Sequence, residues 1–498
     1  LVGLGGRFFL MEYANLGKML EHSAKRYSGS TSLIFKDQRI SYESLNGAVD
    51  SLANHLRSLS VKKGDHIAIL LPNCPEFVIS YFAAVKLGAV AVTLSIFSTP
   101  YELKHLLNNS DSKVLITTNA ASKRFAEIRE EVPLCRDVLL TDGAFGPSPF
   151  REALEKNRGR FESPEIGESD PAVMIYTAGL TGRPLGAVLT HGNMSTQLTL
   201  LRDICEGREG DVGLCLIPLF HAFGAAANMV SAIELGASIV MMEQLNMDAI
   251  FEAISREKIT YIAAVPRLYL GMLLHENAGR YDVSSLRLCI TGGSSMIPEF
   301  IPPFQEKFSV KLMEGYGLTE ASPVSSFSRP WMTQKLGSIG IPVPGAEARI
   351  ADDAGRVLPA NAEGELLIRG KNVMAGYYKD AKATESVIRD GWLYTGDLAR
   401  IDEEGYIFLT GRKKRMIITS GFNVYPREVE IVLDMHPLVE TSRVVSKPDM
   451  MRGEIVKARV VPKKGKTIDE KDLFRHCRTY LSPYKVPREI EFAEHLEN

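Results

Sequence analysis

The segment Tyr176-Thr177-Ala178-Gly179-Leu180-Thr181-Gly182-Arg183-Pro184-Leu185-Gly186 follows the apolar run Ala172-Val173-Met174-Ile175. Its glycines allow the backbone to approach an anion closely, with N–H groups turned towards it. Thr177 and Thr181 add hydroxyl donors, and Arg183 adds positive charge. The chemistry this composition suits is phosphate binding. A plain strand-to-turn connection is the competing explanation. The pattern is neither GxGxxG nor GxxxxGK(S/T), which disfavours ordinary dinucleotide and Walker readings.

Such a loop needs a rigid frame, and the surrounding sequence supplies one. His66-Ile67-Ala68-Ile69-Leu70-Leu71 reads as a buried strand, followed by an amphipathic helix from about Glu76. Val114–Thr117, Ser238–Met241 and Tyr261–Val265 repeat the theme, each after a helical stretch. That alternation predicts α/β layers with parallel strands. From Gly345 to Ile368 short strands separated by Asp-Asp-Ala-Gly and Ala-Glu-Gly turns predict a small antiparallel or barrel unit. A further shift in composition comes at Gly411-Arg412-Lys413-Lys414-Arg415, where a basic run precedes a Lys- and Glu-rich stretch. The expected division is residues 1–411 and 412–498.

The bulk composition agrees with this layout. The 498 residues are 45% hydrophobic and 24% charged, too many for one ordinary core. Lys plus Arg is 58 against 60 Asp plus Glu, so no strong field for nucleic acid or an acidic membrane follows. Six scattered cysteines lack metal-ligand spacing and read as buried residues of a reducing compartment. No run reaches the roughly 18 apolar residues of a membrane span. The opening Leu1-Val2-Gly3-Leu4-Gly5-Gly6 lacks the basic and long apolar regions of a secretory signal. The expectation is a soluble cytoplasmic protein.

The glycine loop resembles the phosphate-binding motif YTSGTTGxPKG of the adenylate-forming superfamily: acyl-CoA synthetases, peptide-synthetase adenylation domains and beetle luciferases. Ala178 and Leu180 stand where the family has hydroxyl residues, and Leu185 stands where it has lysine. Arg183 is the candidate to compensate for that lost charge. Further segments match in the family's order. Phe220-His221-Ala222-Phe223-Gly224 resembles the FHxxG segment that lines the acyl pocket, which implies substrate contact by His221 and Phe223. A hydrogen-bonded structural histidine is the alternative for His221. Thr291-Gly292-Gly293-Ser294 resembles the turn that lies against adenine, with a simple strand-to-helix turn as its alternative.

Gly315-Tyr316-Gly317-Leu318-Thr319-Glu320 matches the motif in which Tyr flanks adenine, Thr touches phosphate and Glu binds Mg²⁺. The residue types suit those tasks: an aromatic face stacks on a base, and Mg²⁺ prefers a carboxylate beside phosphate oxygens. Tyr394-Thr395-Gly396-Asp397 matches YTGD, implying that Asp397 accepts from the ribose hydroxyls, with Arg412 reaching the same sugar. Lys414 falls on the family's hinge position. Ser420-Gly421-Phe422-Asn423-Val424-Tyr425-Pro426 resembles the loop that swings in for thioester formation. The resemblance runs from about Tyr42 to the end of the chain. It implies an α/β, multi-domain fold: a large N-terminal domain with two layered α/β subdomains plus a small β-barrel, then a small mobile α+β C-terminal domain.

The implied activity is ATP-dependent formation of an acyl-adenylate and then of a CoA thioester. ATP, Mg²⁺ and CoA are the implied cofactor and co-substrates, with Thr177, Thr181, Thr319 and Glu320 carrying the phosphoryl chemistry and Gly179, Gly182 and Arg183 cradling phosphate. The family's adenylation lysine, in a PxxxxGK motif, would fall just beyond Asn498; a chain ending there is expected to adenylate poorly and retain the thioester step. Lys485, in Ser482-Pro483-Tyr484-Lys485-Val486-Pro487, belongs to an earlier segment and is not assigned that role.

Gly317 stands where short-acyl enzymes of the family have tryptophan, which implies a tunnel open to a medium-chain, long-chain or aryl acid. An aspartate for an amino-acid ammonium group is missing near Phe220. The expected partners are therefore a carboxylic acid, ATP and CoA, without nucleic acid; peripheral membrane contact and a homodimer stay open. Two other functions also stay open: an acyl-AMP ligase loading a carrier protein, and a degenerate ATP- or acyl-binding regulator, motivated by Ala178, Leu180 and Leu185.

Overall fold

β-branched, continuously apolar runs such as Ile67-Ala68-Ile69 and Ile239-Val240 can be satisfied only in strands covered on both faces. The computed structural model describes residues 13, 15–142, 147–178, 182–242, 246–413 and 416–496. Among them the strands form four sheets. A seven-stranded sheet carries Val90–Thr93 at its centre, with His66–Leu70 beside it in parallel and Ser112–Thr118 parallel on the far side of that strand. Pro171–Ala178 adds in parallel to Val90–Thr93, then Pro184–Thr190 and Gly376–Tyr377 continue antiparallel.

The second sheet has nine strands. Lys311–Gly317, Leu288–Thr291, Tyr261–Ala264, Val212–Cys215, Ser238–Met241 and Thr31–Phe35 run parallel in that spatial order. Val324–Phe327 and Ile341–Pro342 extend one edge antiparallel. The expected small β unit is an antiparallel five-stranded sheet built on Gly364–Gly370 and Trp392–Ile401. The C-terminal domain pairs Gly453–Pro462 with Val439–Asp449 and Ile417–Thr419, and packs the helices Pro426–Asp434 and Glu470–Tyr480 beside this sheet.

One expectation fails. The helix after the first buried strand, Pro75–Leu87, is not amphipathic: every residue is buried, Glu76 and Lys86 included. It lies between the sheet and the helices Leu16–Arg26 and Tyr42–Ser58, so it has no solvent face. Its buried ammonium is neutralised by Asp50 at 2.5 Å and Glu21 at 3.2 Å, as a charge in such a place requires.

All six cysteines are buried and free. Among the described residues no helix is long and apolar enough to cross a membrane.

Candidate active site

Parallel strands deliver their C-terminal ends to one edge of the sheet, and ligands bind in the crevice beyond those ends. The nine-stranded sheet does this here. Leu216, Met242, Val265, Gly293 and Tyr316 lie at or just past the ends of five of its strands, and all line one cavity of about 700 Å³. Thr177, Thr319, Glu320, Asp397 and Arg412 line the same cavity.

At one end, the Tyr316 hydroxyl donates to Asp397 Oδ2 at 2.6 Å. Asp397 and Arg412 are directly paired across two antiparallel strands, with Arg412 Nε 3.4 Å from Asp397 Oδ1. Burial, and then the neighbouring Asp397 charge, push the Tyr316 phenol well above its ordinary range, so it remains a donor. An aromatic ring, a carboxylate and a guanidinium are thereby fixed together, a set able to hold a base and the hydroxyls of its sugar.

The other polar end is organised around Glu320, in the 3₁₀ turn Thr319–Ala321. The Met374 amide donates to the Glu320 carbonyl at 2.9 Å and holds the turn in place. On the side chain, Thr177 Oγ1 and the Tyr377 hydroxyl both donate to Oε1, at 3.0 and 2.8 Å. Among the described residues the second oxygen, Oε2, has no hydrogen-bond partner. Burial first, and Glu320 next, push the phenols of Tyr377 and Tyr425 upward, so both stay protonated. One carboxylate beside hydroxyl oxygens is a hard donor set. It fits Mg²⁺, which takes one or two carboxylates and fills its shell with water and phosphate oxygens. No cluster of three or more His, Cys, Asp or Glu that could cage a metal occurs among the described residues.

Away from the charges the wall becomes apolar: Ile217, Phe223, Met242, Ala264 and Leu268. His221 lies here, and burial pushes its pKa down to about 4, which leaves a neutral imidazole. Its Nε2 is buried, with no hydrogen-bond partner among the described residues. Glu314 also lines this cavity, 5% exposed, accepting from the Met296 amide at 3.1 Å through Oε1, while among the described residues Oε2 has no partner. Burial raises its pKa to about 7. A smaller apolar chamber of about 70 Å³ adjoins, walled by Leu200, Leu201, Ile204 and Cys205 and sharing Phe223 and Gly317 with the main cavity.

The C-terminal domain closes the remaining side. Arg267 Nη1 donates to Ser420 Oγ at 3.3 Å. Gly421 has φ +85° and approaches Val265 so closely that a Cβ would lie 2.6 Å from its Cγ1. Phe422 stacks on Tyr484 with centroids 4.5 Å apart and meets His221 edge-on at 5.1 Å.

Of the residues singled out from the sequence, Thr177, His221, Phe223, Gly293, Ser294, Tyr316, Gly317, Thr319, Glu320, Asp397, Arg412, Ser420 and Gly421 line the main cavity. Gly292 lines the smaller chamber instead. Gly182 and Arg183 line neither cavity. Gly182 is covered by the helix Pro426–Asp434, with Ile431 Cδ1 2.7 Å from where its Cβ would be, and Arg183 is exposed. Gly179, Thr181 and Lys414 lie outside the described residues. Gly317 has a local reason for being glycine: a Cβ would lie 2.2 Å from the Pro323 carbonyl oxygen. Sequence reasoning missed Tyr377, Glu314 and Arg267. No spacing signal marks them: Tyr377 and Glu314 are placed by strand pairing, and Arg267 by the first turn of the helix Pro266–Leu274.

Comparison with known proteins identifies this constellation. The family model described as AMP-binding enzyme matches residues 20–378, and the AMP-binding enzyme C-terminal domain matches residues 428–498. The chain belongs to this family. Its class is that of an AMP-forming acid–thiol ligase, in the adenylate-forming superfamily. Among its relatives is a long-chain-fatty-acid–CoA ligase of Bacillus subtilis, 33% identical over 97% of this chain and 91% of that protein. An indoleacetate–CoA ligase of Aromatoleum aromaticum is 34% identical over 97% of this chain and 94% of its own length. Among solved structures, a double mutant of the o-succinylbenzoate CoA synthetase of Bacillus subtilis, bound to a product analogue, superposes with a TM-score of 0.85. The two share 29% identity over 96% of this chain and 95% of that one.

Proposed function

We propose that this enzyme activates a hydrophobic carboxylic acid, a medium- or long-chain fatty acid or an aryl acid, as its acyl-adenylate, and then transfers the acyl group to CoA. One observation carries the reading: Tyr316, Asp397 and Arg412 share a cavity with Thr177, Thr319 and Glu320, and that cavity continues into an apolar wall. The first three residues hold adenosine, the second three face its phosphates, and the apolar wall takes the acid.

A carboxylate is a poor electrophile because oxide is a poor leaving group. Attack of the acid's oxygen on the α-phosphorus forms a P–O bond and expels pyrophosphate. Attack of the CoA thiolate on the acyl carbonyl then forms the C–S bond and expels AMP. The chain's residues hold the reactants in line and place hydroxyl donors where phosphate charge develops. Held by Glu320, Mg²⁺ would add positive charge to the phosphates. The neutral His221 and the Phe422–Tyr484 stack keep water from the apolar end. Ser420 and Gly421, at the cavity rim, border the thiol's approach. We place the domain boundary at Gly411–Arg412 with Lys414 as its pivot, and the enzyme in the cytoplasm, where six unpaired thiols persist.

The test is a pyrophosphate-release assay with ATP, Mg²⁺, CoA and acids from acetate to stearate plus aryl acids. A second arm supplies a synthetic acyl-adenylate with CoA. The expected result is pyrophosphate release and thioester formation with hydrophobic acids, and little with acetate. Pyrophosphate without CoA consumption identifies a carrier-coupled ligase. No turnover in either arm identifies an ATP- or acyl-binding regulator.

A further inference from the structure

The Glu320 carboxylate is gripped by one oxygen only. Thr177 Oγ1 and the Tyr377 hydroxyl converge on Oε1, while among the described residues Oε2 receives no hydrogen bond. The three residues come from separate parts of the chain, 143 and 57 positions from Glu320, so local sequence does not bring them together.

Tyr377 is itself held firmly. It sits in the two-residue edge strand Gly376–Tyr377, paired with Ala187 of the strand that follows the glycine loop. Its amide donates to Thr384 Oγ1 at 2.8 Å. Gly376 takes φ +144° against the same threonine, where a Cβ would lie 2.9 Å from Thr384 Cγ2. The phenol is therefore aimed by backbone pairing, by a side-chain cap and by a turn that only glycine tolerates.

We propose that Tyr377 is a positioning residue for the nucleotide's metal: its hydroxyl, with that of Thr177, pins Oε1 of Glu320 and leaves Oε2 as the oxygen for a divalent cation. This rests on the proposed ATP-dependent reaction. A carboxylate with two unrestrained oxygens rotates and presents either one. Two donors on the same oxygen remove that freedom, as hydrogen bonds to metal-ligating carboxylates commonly do. The choice of donors matters. A lysine or arginine would also orient the group but would cancel the charge that attracts the cation; two neutral hydroxyls orient it and leave the charge intact.

Tyr377→Phe keeps the ring and removes the donor. Calorimetric titration of ATP at graded Mg²⁺ reads the metal requirement without turnover, with Tm measured alongside. The expected outcome is an unchanged affinity for ATP in EDTA, a nearly unchanged Tm, and an about tenfold higher Mg²⁺ midpoint for tight nucleotide binding. In a Glu320→Gln background the same substitution should add no further Mg²⁺ shift. A Mg²⁺ midpoint within twofold of the parent, whether or not Tm falls, overturns the proposal and leaves the ligase reading standing. A further shift in the Glu320→Gln background overturns it equally. Wild-type protein whose ATP binding ignores Mg²⁺ overturns the ligase reading itself.

Discussion

Lys485 Nζ lies 2.7 Å from Glu102 Oε1, and the two residues belong to different domains. The same ammonium contacts Glu428, and Ser482 Oγ donates to the other oxygen of Glu102 at 2.6 Å. All four residues are buried. Burial alone would raise the Glu102 pKa, but Lys485 and Ser482 outweigh it and hold the carboxyl below its ordinary range. At Glu428 burial prevails and the carboxyl is raised. One ammonium thus stands between two carboxylates at the seam where the C-terminal domain docks.

Lys485→Met should open that seam. Removing one member of a buried ion pair strands the others, a loss of about 3–5 kcal/mol for the docked arrangement. Limited proteolysis and small-angle scattering should report an expanded particle, and the acyl-adenylate-to-CoA step should slow more than pyrophosphate release. An unchanged scattering profile, together with equal effects on both steps, would reject a docking role.

Glu314 gives a pH prediction with a definite sign. Its folded pKa of about 7 exceeds the ordinary 4.5, so the folded protein holds more protons than the unfolded chain between those values. Stability attributable to this group therefore falls as pH rises from 4.5 to 7, by about 3 kcal/mol in total. Glu314→Gln should flatten the pH dependence of Tm in that window and raise Tm at pH 8. A parallel curve displaced by a constant amount would show that the carboxyl is not the titrating group.

Glu320→Gln should lower kcat/KM for MgATP by about a hundredfold, the scale of losing one preorganised electrostatic contact. Its hydrogen bonds from Thr177 and Tyr377 persist through the amide oxygen, so Tm should move little. Proportionate losses of activity and of thermal stability would mark Glu320 as a structural residue.

The small chamber behind Gly317 should set acyl length. Cys205→Phe, placed on its wall, is expected to reduce turnover of the longest accepted acids and spare the shortest, at an overpacking cost of about 1–3 kcal/mol. Gly317→Ala is expected to behave differently, because its Cβ meets the Pro323 carbonyl oxygen: Tm falls and turnover drops for every acid alike. A chain-length profile unaltered by Cys205→Phe would exclude the chamber from the substrate path.

Several features were legible in the residues themselves. The strand Ser238–Met241 matches its apolar run, and the Tyr316–Glu320 segment lies where a strand end meets a 3₁₀ turn. The helix Pro75–Leu87 is buried on every side, charged residues included, where its sequence predicts an amphipathic helix. The burial of Lys86 depends on Asp50 and Glu21, supplied by two other helices. Gly182 and Arg183 have the composition of phosphate contacts, yet a helix from the C-terminal domain lies over that glycine.

By itself the sequence determined the alternation of strands and helices, because continuous apolar runs must be covered on both faces, and it determined which residue types were available for phosphate, sugar and base. Only the tertiary structure decided how they meet. Parallel strands bring residues tens to hundreds of positions apart to one edge, and there Tyr377 turns a phenol onto the same Glu320 oxygen as Thr177. Hydrogen bonds reach only about 3 Å, so pairings of this kind exist only once the sheets are stacked and the domains have docked.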